Sequence, residues 1–305
     1  MKLYRSILFV PGIRPELMDK APQYKPDALI LDLEDSVPIS EKARTRPMVR
    51  DGIARLAARG VAVFVRVNGV ETGLTGEDVE AIVQPGLIAV MVPKLESVEE
   101  VRKVDAWIEL FERKAGMEVG TVKIVVLPET TRGVKDAYCM LTACARVGNI
   151  CGASSVKSGD YSKALGYQWT REGLEMLYSQ QHTLLAARAA GVEYPIIGPP
   201  VEIRDKTLVV ELLKRSRQQG YRGALLIHPS QVEPANAIFA PSHEEIEWNR
   251  GVLQAMADAE AAGRAAVTYD GMMVDYAHVR NALDLLDQAR AFGLPVGKLP
   301  EIRAL

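Results

Sequence analysis

The stretch ALILDLEDSVP, residues 28–38, joins an uninterrupted apolar run to three carboxylates. Its first part, ALIL, has the continuous apolar character of a strand that is buried on both faces, as in a parallel sheet. The carboxylates Asp32, Glu34 and Asp35 come where that strand ends. Because parallel α/β folds build their sites at the carboxyl ends of strands, the stretch predicts both a sheet type and the edge where a site lies.

Short runs rich in Val, Ile and Leu recur along the first three quarters of the chain, separated by segments with helical spacing. The runs are 6–10, 28–33, 61–67, 88–94, 123–129, 149–153, 195–200 and 223–229. Helical periodicity over 98–114, 171–190 and 205–219 suits the crossovers, so the pattern predicts a (β/α)8 TIM barrel. The alternative, an open doubly wound sheet, would need a Gly-rich loop after its first strand, whereas FVPGIRPE, 9–16, has one glycine and two prolines.

The last quarter of the chain has a different pattern, with helix-like segments at 243–262 and 276–292. We expect a barrel domain over 1–241 and a C-terminal helical extension or lid over 242–305, too short for a core of its own. Such an appendage packs most economically on a neighbouring subunit. The chain is therefore expected to form a homo-oligomer, a trimer or a hexamer.

Composition excludes some classes of partner. The 37 Lys and Arg nearly balance the 39 Asp and Glu, giving a formal charge of -2, so no nucleic-acid partner is expected. No apolar run is long enough to cross a bilayer, so no membrane partner is expected. Three cysteines, Cys139, Cys144 and Cys151, lack a CxxC spacing and suit a reducing compartment, which predicts a cytoplasmic protein.

Charged and polar side chains cluster near the predicted strand ends. They are Arg5 before the first strand, Glu34 and Asp35, Arg66 and Asn68, Lys94, Glu129 and Arg132, Asp160, and His228. Buried charges are costly unless they are paired or bound to a metal, so we expect these groups to neutralise one another or a ligand. For Asp32, capping the helix that follows near Ser40 is an equal alternative to a role in the site.

Glu129 and Asp160 together would make a hard, oxygen-rich site. Such a site suits Mg²⁺ or Mn²⁺ better than zinc, and four scattered histidines point the same way. For each of the two carboxylates, a structural ion pair or a helix cap is the alternative.

Several stretches, taken together and in order, resemble the HpcH/HpaI aldolase and citrate lyase beta subunit family. They are RSILFVPGIRPE (5–16), LILDLEDSVP (29–38), FVRVNG (64–69), VMVPKLES (90–97), PETTRGV (128–134), GDYSKALG (159–166), AARAAGV (186–192), IHPSQVEPANAIFAPS (227–242) and YDGMMVDYAHVRNA (269–282). The resemblance runs nearly end to end. It is specific for the family and much less specific for the substrate.

The resemblance implies a (β/α)8 barrel with a C-terminal extension, a divalent cation that is usually Mg²⁺, and cleavage or formation of a carbon–carbon bond beside a carbonyl. The substrates implied are acyl-CoA or related thioesters, such as citryl, malyl or citramalyl thioesters. By motif, Glu129 and Asp160 take the metal-ligand roles and Arg66 contacts the substrate's oxygens.

Two departures from the family pattern concern the metal. The family more often has Glu-Thr-Pro-Arg-Gly where this chain has ETTRG at 129–133, and Asp160 lies farther beyond its strand than expected. A competing alignment places Ser155 where the aspartate should be and implies a weakened or lost metal site. The match of DYSKALG, residues 160–166, to the family pattern favours Asp160 as the metal ligand.

The implied reaction is a metal-dependent lyase step on a 3-hydroxyacyl thioester, giving an acetyl-CoA-type thioester and a 2-oxo acid. Arg66 would stabilise the thioester enolate, with Glu34 and Asp35 as further catalytic groups. The alternatives are a thioester hydrolase on the same site and a non-catalytic paralogue that binds a CoA ester. The sequence leaves open whether the acyl carrier is CoA or a carrier protein.

Five residues outside this group have predicted roles. Arg5, Arg14 and Lys94 are expected to bind substrate, the first two at the phosphates of CoA. Asp275 is expected to act in catalysis from a lid contributed by another subunit, with N-capping of the helix that follows as the alternative. His228 is expected to be structural.

Overall fold

The computed structural model describes residues 1–153 and 159–302. Within them, eight parallel strands close into a barrel in sequence order, with the last strand paired to the first. The strands are β1 Ser6–Pro11, β2 Ala28–Asp32, β3 Val63–Arg66, β4 Leu87–Pro93, β5 Lys123–Leu127, β6 Val147–Gly152, β7 Ile196–Ile197 and β8 Gly223–Leu226. The predicted TIM barrel is confirmed.

The helices follow the strands as a (β/α)8 fold requires. They are α1 Pro15–Lys20, α2 Lys42–Ala58, α3 Thr75–Ile82, α4 Val98–Lys114, α5 Thr131–Lys135, α6 Ala137–Leu141, α7 Asp160–Leu165, α8 Leu174–Ala189, α9 Lys206–Gln219, α10 Val232–Phe239, α11 His243–Ala261 and α12 Tyr276–Ala291. Helix α4 has the bounds that its periodicity predicts, because Ser97 caps its first turn by accepting a hydrogen bond from the Glu100 N–H.

The barrel interior explains the uninterrupted apolar runs. Every residue of β2 is buried, since one face of the strand fills the barrel and the other packs under the helices. The interior cluster includes Ile7, Ile30, Phe64, Met91, Val125, Cys151, Ile196 and Leu225. Tyr4 closes the amino end of this cluster with its ring edge against Phe64, the ring centroids 5.2 Å apart.

Gly12 brings the loop after β1 tightly against the end of β2. Its N–H donates to the Asp32 carbonyl at 2.9 Å, and a Cβ at this position would lie 2.4 Å from that same oxygen. Any side chain here would push the two strand ends apart, so glycine is required at the carboxyl rim of the barrel.

Residues 238–302 form a second compact unit, and the division from the first falls inside α10, between Ala237 and Ile238. This unit has its own hydrophobic core, built by Ile246, Val252, Leu253, Met256, Val274, Val279, Ala282, Leu286, Ala289 and Val296. The expectation that the extension is too short for a core is wrong, because α11 and α12 each bury an apolar stripe there.

The segment between α11 and α12 is an antiparallel hairpin that the sequence reading missed, β9 Val267–Tyr269 with β10 Met272–Val274. Its turn, Asp270-Gly271, has φ of 47° and 75°, the left-handed pair that Asp-Gly adopts readily in two-residue hairpins. The Asp-Gly dipeptide is the feature of the sequence from which this hairpin could have been predicted.

Among the helices over 1–153 and 159–302, none has the length and apolar composition needed to cross a lipid bilayer.

Candidate active site

Arg66, the last residue of β3, is held flat against Asp32, the last residue of β2. Arg66 Nε and Nη2 donate to the two Asp32 carboxylate oxygens at 2.7 and 2.8 Å. The Phe9 ring lies under the guanidinium, 4.8 Å from its carbon. Burial opposes ionisation of Asp32, but the bonds from Arg66 outweigh it and the pKa of that carboxyl is lowered. The pair fixes the guanidinium in one plane at the carboxyl rim.

Glu34 lies on the other side of the same guanidinium. Its Oε2 is 2.9 Å from Arg66 Nη1, oriented as an ion pair without a hydrogen bond, and its Oε1 accepts from Lys94 Nζ at 3.1 Å. Burial raises the pKa of Glu34, although Arg66 and Lys94 oppose the rise. Asp35 is exposed, with its carboxylate 3.5 Å from Arg66. Asp32 therefore belongs to this cluster and does not cap α2.

Lys94 lies between two carboxylates of the rim, those of Glu34 and Asp160. Directly after β4, its ammonium lies 3.1 Å from Glu34 and 3.0 Å from the exposed Asp160 carboxylate. Its backbone has φ of 56°, a left-handed conformation that is uncommon for lysine. Such strained residues concentrate at functional sites.

Glu129 follows β5 and is half-buried, with one of its carboxylate oxygens enclosed. Its Oε2 makes no hydrogen bond among the described residues, and burial, with the Glu34 charge adding to it, raises the pKa of Glu129 to about 8. Glu129 lines a pocket together with Phe9, Arg66, Leu127, Pro128, Gly152, Tyr161, Gly198, Pro199 and Leu225. The carboxylate thus faces a cavity that it shares with the fixed guanidinium.

The ETTRG motif places Glu129 through a tight helix start. Thr130 caps α5, its hydroxyl accepting the Gly133 N–H at 3.0 Å. A Cβ on Gly133 would lie 2.4 Å from the Leu95 carbonyl, so glycine lets α5 pack directly on the loop after β4. Arg132 points away, 3.9 Å from Glu96.

Asp160, the first residue of α7, is positioned by its neighbour. The buried Tyr161 lines the pocket, and its hydroxyl donates to Ser179 Oγ on α8 at 2.7 Å. Its ring packs with Val134, Ala153 and Met176. Sequence reasoning missed Tyr161, although its place directly after a predicted ligand was a signal. The competing residue Ser155 lies in 154–158, outside the described residues.

Glu129 and Asp160 fit a magnesium ion. An unpartnered, buried carboxylate oxygen on a residue that lines the pocket is the kind of donor that a hard cation requires, and Lys94 holds Asp160 on the same rim. Among residues 1–153 and 159–302, no three His, Cys, Asp or Glu side chains are grouped around a metal position. Mg²⁺ is commonly held by one or two carboxylates with water and substrate, which is the kind of ligand set that this pair would supply.

Lys42 supports the acidic loop from behind and was also missed. Its buried ammonium donates to the carbonyls of Leu33 and Glu34, each at 2.7 Å. Asn68 Nδ2 donates to the same Leu33 carbonyl at 3.1 Å and to the buried Asp78. A lysine at the start of a helix looks like a surface residue in sequence, so no local signal distinguished it.

The structure corrects the position expected for Arg5. It precedes β1 and therefore lies at the amino end of the barrel, where Nε and Nη2 donate to the Asp27 carboxylate at 2.9 and 2.7 Å. This is the end opposite Arg66, so Arg5 does not line the pocket. Arg14 lies in the loop after β1, at the carboxyl end, with its exposed guanidinium paired to Glu16.

Asp275 and His228 both cap helices. Asp275 Oδ1 accepts the Ala277 N–H at 2.9 Å and lies 2.9 Å from His278 Nδ1, and the bond with His278 lowers the pKa of Asp275. The capping alternative for Asp275 is therefore present in the structure. His228 Nδ1 accepts the Ser230 N–H at 3.2 Å at the start of a 3-10 helix, a structural bond of the kind expected.

A closed barrel that gathers an unpartnered carboxylate and a fixed guanidinium at its carboxyl rim has the architecture of a TIM-barrel enzyme. The model of the HpcH/HpaI aldolase/citrate lyase family matches residues 5–229. The chain is 31% identical over 293 residues to citrate lyase subunit beta from Haemophilus influenzae, covering 95% of this chain and 98% of that protein. It is 29% identical over 288 residues to a (3S)-malyl-CoA thioesterase from Cereibacter sphaeroides, covering 94% and 95%.

Solved structures agree with this match. The protein CitE from Mycobacterium tuberculosis, in complex with magnesium, acetoacetate and coenzyme A, superposes with a TM-score of 0.72 at 27% identity, covering 94% of this chain and 98% of that chain. The chain belongs to the HpcH/HpaI aldolase/citrate lyase family. The predicted family is confirmed. The family's members include lyases and thioesterases, and structural relatives hold Mg²⁺.

Proposed function

We propose that this protein is a Mg²⁺-dependent carbon–carbon lyase that cleaves a malyl-, citramalyl- or citryl-CoA-like 3-hydroxyacyl thioester. The products are an acetyl-CoA-type thioester and a 2-oxo acid. The observation that carries the proposal is the shared pocket of Glu129 and Arg66, which sets an unpartnered carboxylate beside a fixed cation. The magnesium, acetoacetate and coenzyme A of the relative CitE support the same chemistry.

Glu129 and Asp160 would hold the metal, with Mn²⁺ as the alternative ion. When bound, the cation supplies Lewis acidity at the substrate's carboxylate and hydroxyl oxygens. Arg66, kept in plane by Asp32, presents its remaining edge to the thioester carbonyl oxygen, where negative charge develops as the bond breaks. Lys94 stabilises the anionic substrate and Asp160 together.

Cleavage requires the C3 hydroxyl to lose a proton. Glu34 is the proposed acceptor, because burial raises its pKa and makes it a stronger base than an ordinary glutamate. The C2–C3 electron pair then moves to the thioester, forming the enolate that Arg66 stabilises, while C3 becomes the carbonyl of the 2-oxo acid. A proton relayed from water through Asp275 to C2 completes the acetyl-type thioester, and Glu34 releases the proton that it accepted to water, so atoms and charge balance.

Arg14 is proposed to bind the phosphates of CoA. Its loop lies at the carboxyl end of β1, and its pairing with Glu16 is exposed and easily exchanged for a phosphate. Arg14→Ala is expected to raise KM for a CoA ester about tenfold, with less than about a twofold effect on the pantetheine ester. Arg44→Ala, which removes another exposed Arg paired to a glutamate, is the matched control. Equal effects on both esters would refute the assignment.

Asp275 is proposed to exchange a proton with C2 of the thioester from a lid on a neighbouring subunit. Its lowered pKa makes it a carboxylate at neutral pH, ready to accept that proton in the condensation direction. Mixed oligomers of inactive Arg66→Ala and inactive Asp275→Ala chains are expected to regain turnover, since some sites then contain both intact residues. Mixed oligomers that stay inactive would remove the lid from the mechanism.

A thioester hydrolase is the second candidate, because a relative that matches over nearly the whole chain is a (3S)-malyl-CoA thioesterase. The test is a screen of hydroxyacyl-CoA esters with and without Mg²⁺, detecting 2-oxo acid and free CoA separately. The lyase predicts Mg²⁺-dependent 2-oxo acid. A protein with no turnover and no Mg²⁺-dependent rise in melting temperature would instead be a non-catalytic CoA-ester-binding paralogue.

A further inference from the structure

Lys42, the first residue of α2, has its ammonium buried behind the acidic loop that follows β2. The residue is 9% exposed, and burial lowers the pKa of Lys42, although the carboxylates of Asp32 and Glu34 are among the groups that oppose the fall. Burying an ammonium costs free energy that a neutral donor to the same carbonyls would not cost. The place of this charge, beside the rim, suggests a role in the site.

Glu34 lies beyond the end of β2, where side chains bind its backbone on both sides. β2 ends at Asp32, and the Glu34 N–H donates to Asp32 Oδ1 at 3.0 Å. The Glu34 carbonyl accepts from Lys42 Nζ at 2.7 Å and from the Val37 N–H at 2.9 Å. The orientation of Glu34 therefore depends on Asp32 before it and on Lys42 after it.

Lys42 also binds the peptide group on the other side of Glu34. Its Nζ donates to the Leu33 carbonyl at 2.7 Å, and Asn68 Nδ2 donates to the same oxygen at 3.1 Å. The carbonyls of Leu33 and Glu34 belong to the two peptide groups that flank the Glu34 Cα. One ammonium thus fixes both the position of that Cα and the direction in which its side chain leaves the backbone.

The Glu34 carboxylate needs an exact position because it lies between two cations. Its Oε2 is 2.9 Å from Arg66 Nη1, and its Oε1 accepts from Lys94 Nζ at 3.1 Å. A small shift of the backbone would move both oxygens relative to these cations and to the pocket that Arg66 lines. Displacing a catalytic group by about 1 Å commonly lowers the rate about a hundredfold.

We propose that Lys42 is a positioning residue, which holds Glu34 where it takes the proton from the C3 hydroxyl of the substrate. The inference rests on the proposed function, in which Glu34 is the proton acceptor. Lys42 acts through two backbone carbonyls, and the carboxylates proposed to bind Mg²⁺ come from other elements, Glu129 after β5 and Asp160 in α7. Loss of Lys42 should therefore lower kcat and leave KM and Mg²⁺ binding nearly unchanged.

The test compares three replacements of Lys42 that differ in their donors and charge. Lys42→Met has no donor, Lys42→Gln has a neutral donor, and Lys42→Arg has both donors and charge. For Mg²⁺-dependent release of 2-oxo acid, kcat is expected to fall about a hundredfold in Lys42→Met and about tenfold in Lys42→Gln, and Lys42→Arg is expected to recover most of the loss. KM, and Mg²⁺ affinity by isothermal titration, should stay within about threefold of wild type.

Two further variants separate positioning from general loss of stability. Lys206 is also the first residue of a helix, α9, but is exposed, so Lys206→Met should keep kcat within about twofold of wild type. Glu112→Gln, at a buried ion pair with Arg146, should lower the melting temperature and leave kcat within about threefold. If Lys42→Met does not fold, Lys42→Gln and Lys42→Arg carry the same comparison.

The inference and the proposed function fail in different ways. With an active wild type, folded Lys42→Met and Lys42→Gln proteins whose kcat is within about threefold of wild type would overturn the positioning role alone. A fall in Mg²⁺ affinity that matches the fall in kcat, or an equal loss in all three variants, would also overturn it, because either result indicates a general disruption of the site. A wild type that releases no 2-oxo acid from any hydroxyacyl thioester would overturn the proposed function, and the role of Glu34 with it.

Discussion

Replacing Glu129 with glutamine is expected to reduce kcat by at least about a thousandfold and to abolish the Mg²⁺-dependent rise in melting temperature. Glutamine keeps the size of the side chain but removes the charge, and Mg²⁺ strongly prefers carboxylate oxygens. In the wild type, Glu129 Oε2 is buried and has no hydrogen-bond partner in the described part of the chain, so its replacement removes little structural bonding. Isothermal titration with Mg²⁺ alone gives a readout that is independent of turnover.

Proton competition makes this prediction sharper. Because the pKa of Glu129 is raised to about 8, Mg²⁺ must displace a proton at neutral pH. Wild-type Mg²⁺ affinity is expected to rise about tenfold per pH unit from pH 6 to 8 and then to level off. Any residual Mg²⁺ binding by Glu129→Gln should lack this dependence. A wild-type affinity that is flat over this range would contradict the assignment of Glu129.

In the metal-free protein, the free energy of unfolding should fall over the same pH range in which Mg²⁺ affinity rises. Between the ordinary glutamate pKa and about 8, the unfolded chain is ionised at this position while the folded protein keeps the proton. Stability contributed by this group therefore falls as pH rises through that window, and Glu129→Gln should remove the fall. Glu112→Gln, at a buried glutamate that bonds Arg146, is the matched control and should lose stability while keeping the Mg²⁺ response.

Replacing Arg66 with lysine is expected to lower kcat about 10²- to 10³-fold while Mg²⁺ binding is retained. The guanidinium spends Nε and Nη2 on Asp32, has Nη1 ion-paired with Glu34, and lines the pocket. An ammonium has no planar fork, so it cannot hold Asp32 at two points and also stabilise charge on a substrate oxygen. Steady-state kinetics at saturating Mg²⁺ measures the loss.

Arg46→Lys provides the control for this change. Arg46 is a buried arginine of the same barrel that also pairs with two carboxylates, Asp78 and Glu77, away from the pocket. Its replacement should lower the melting temperature but leave kcat within about threefold of wild type. A similar loss of kcat in both variants would show that the effect of Arg66→Lys is structural and that Arg66 has no special role.

The fold was predictable because its signals are local and repeated. Each buried parallel strand is a continuous apolar run, and eight of them in sequence left few topologies. The shortest strand, Ile196–Ile197, differs most in length from its prediction, the run PIIGPP at 195–200. That run contains three prolines, which have no N–H to donate to a neighbouring strand. The second core was missed because the apolar stripes of α11 and α12 were not read as packing on each other.

The site was predictable where a residue follows a strand or lies in a motif of the family. Arg66, Glu34 and Lys94 end strands, and the structure brings them together with Glu129. Arg5 was misplaced because strand polarity was ignored: a residue before a strand lies at the opposite end of the barrel. Lys42 was missed because a lysine in a helix carries no local signal of its bonds to the Leu33 and Glu34 carbonyls, whereas Tyr161 was missed although it directly follows Asp160.

Product stoichiometry tests the central claim most directly. A 3-hydroxyacyl-CoA ester that the protein turns over is incubated with Mg²⁺, and 2-oxo acid, shortened acyl-CoA and free CoA are quantified by mass spectrometry. The lyase predicts one 2-oxo acid and one shortened acyl-CoA for each ester consumed, with free CoA no higher than in the enzyme-free control. Free CoA released in step with the intact hydroxy acid, without 2-oxo acid, would contradict carbon–carbon cleavage.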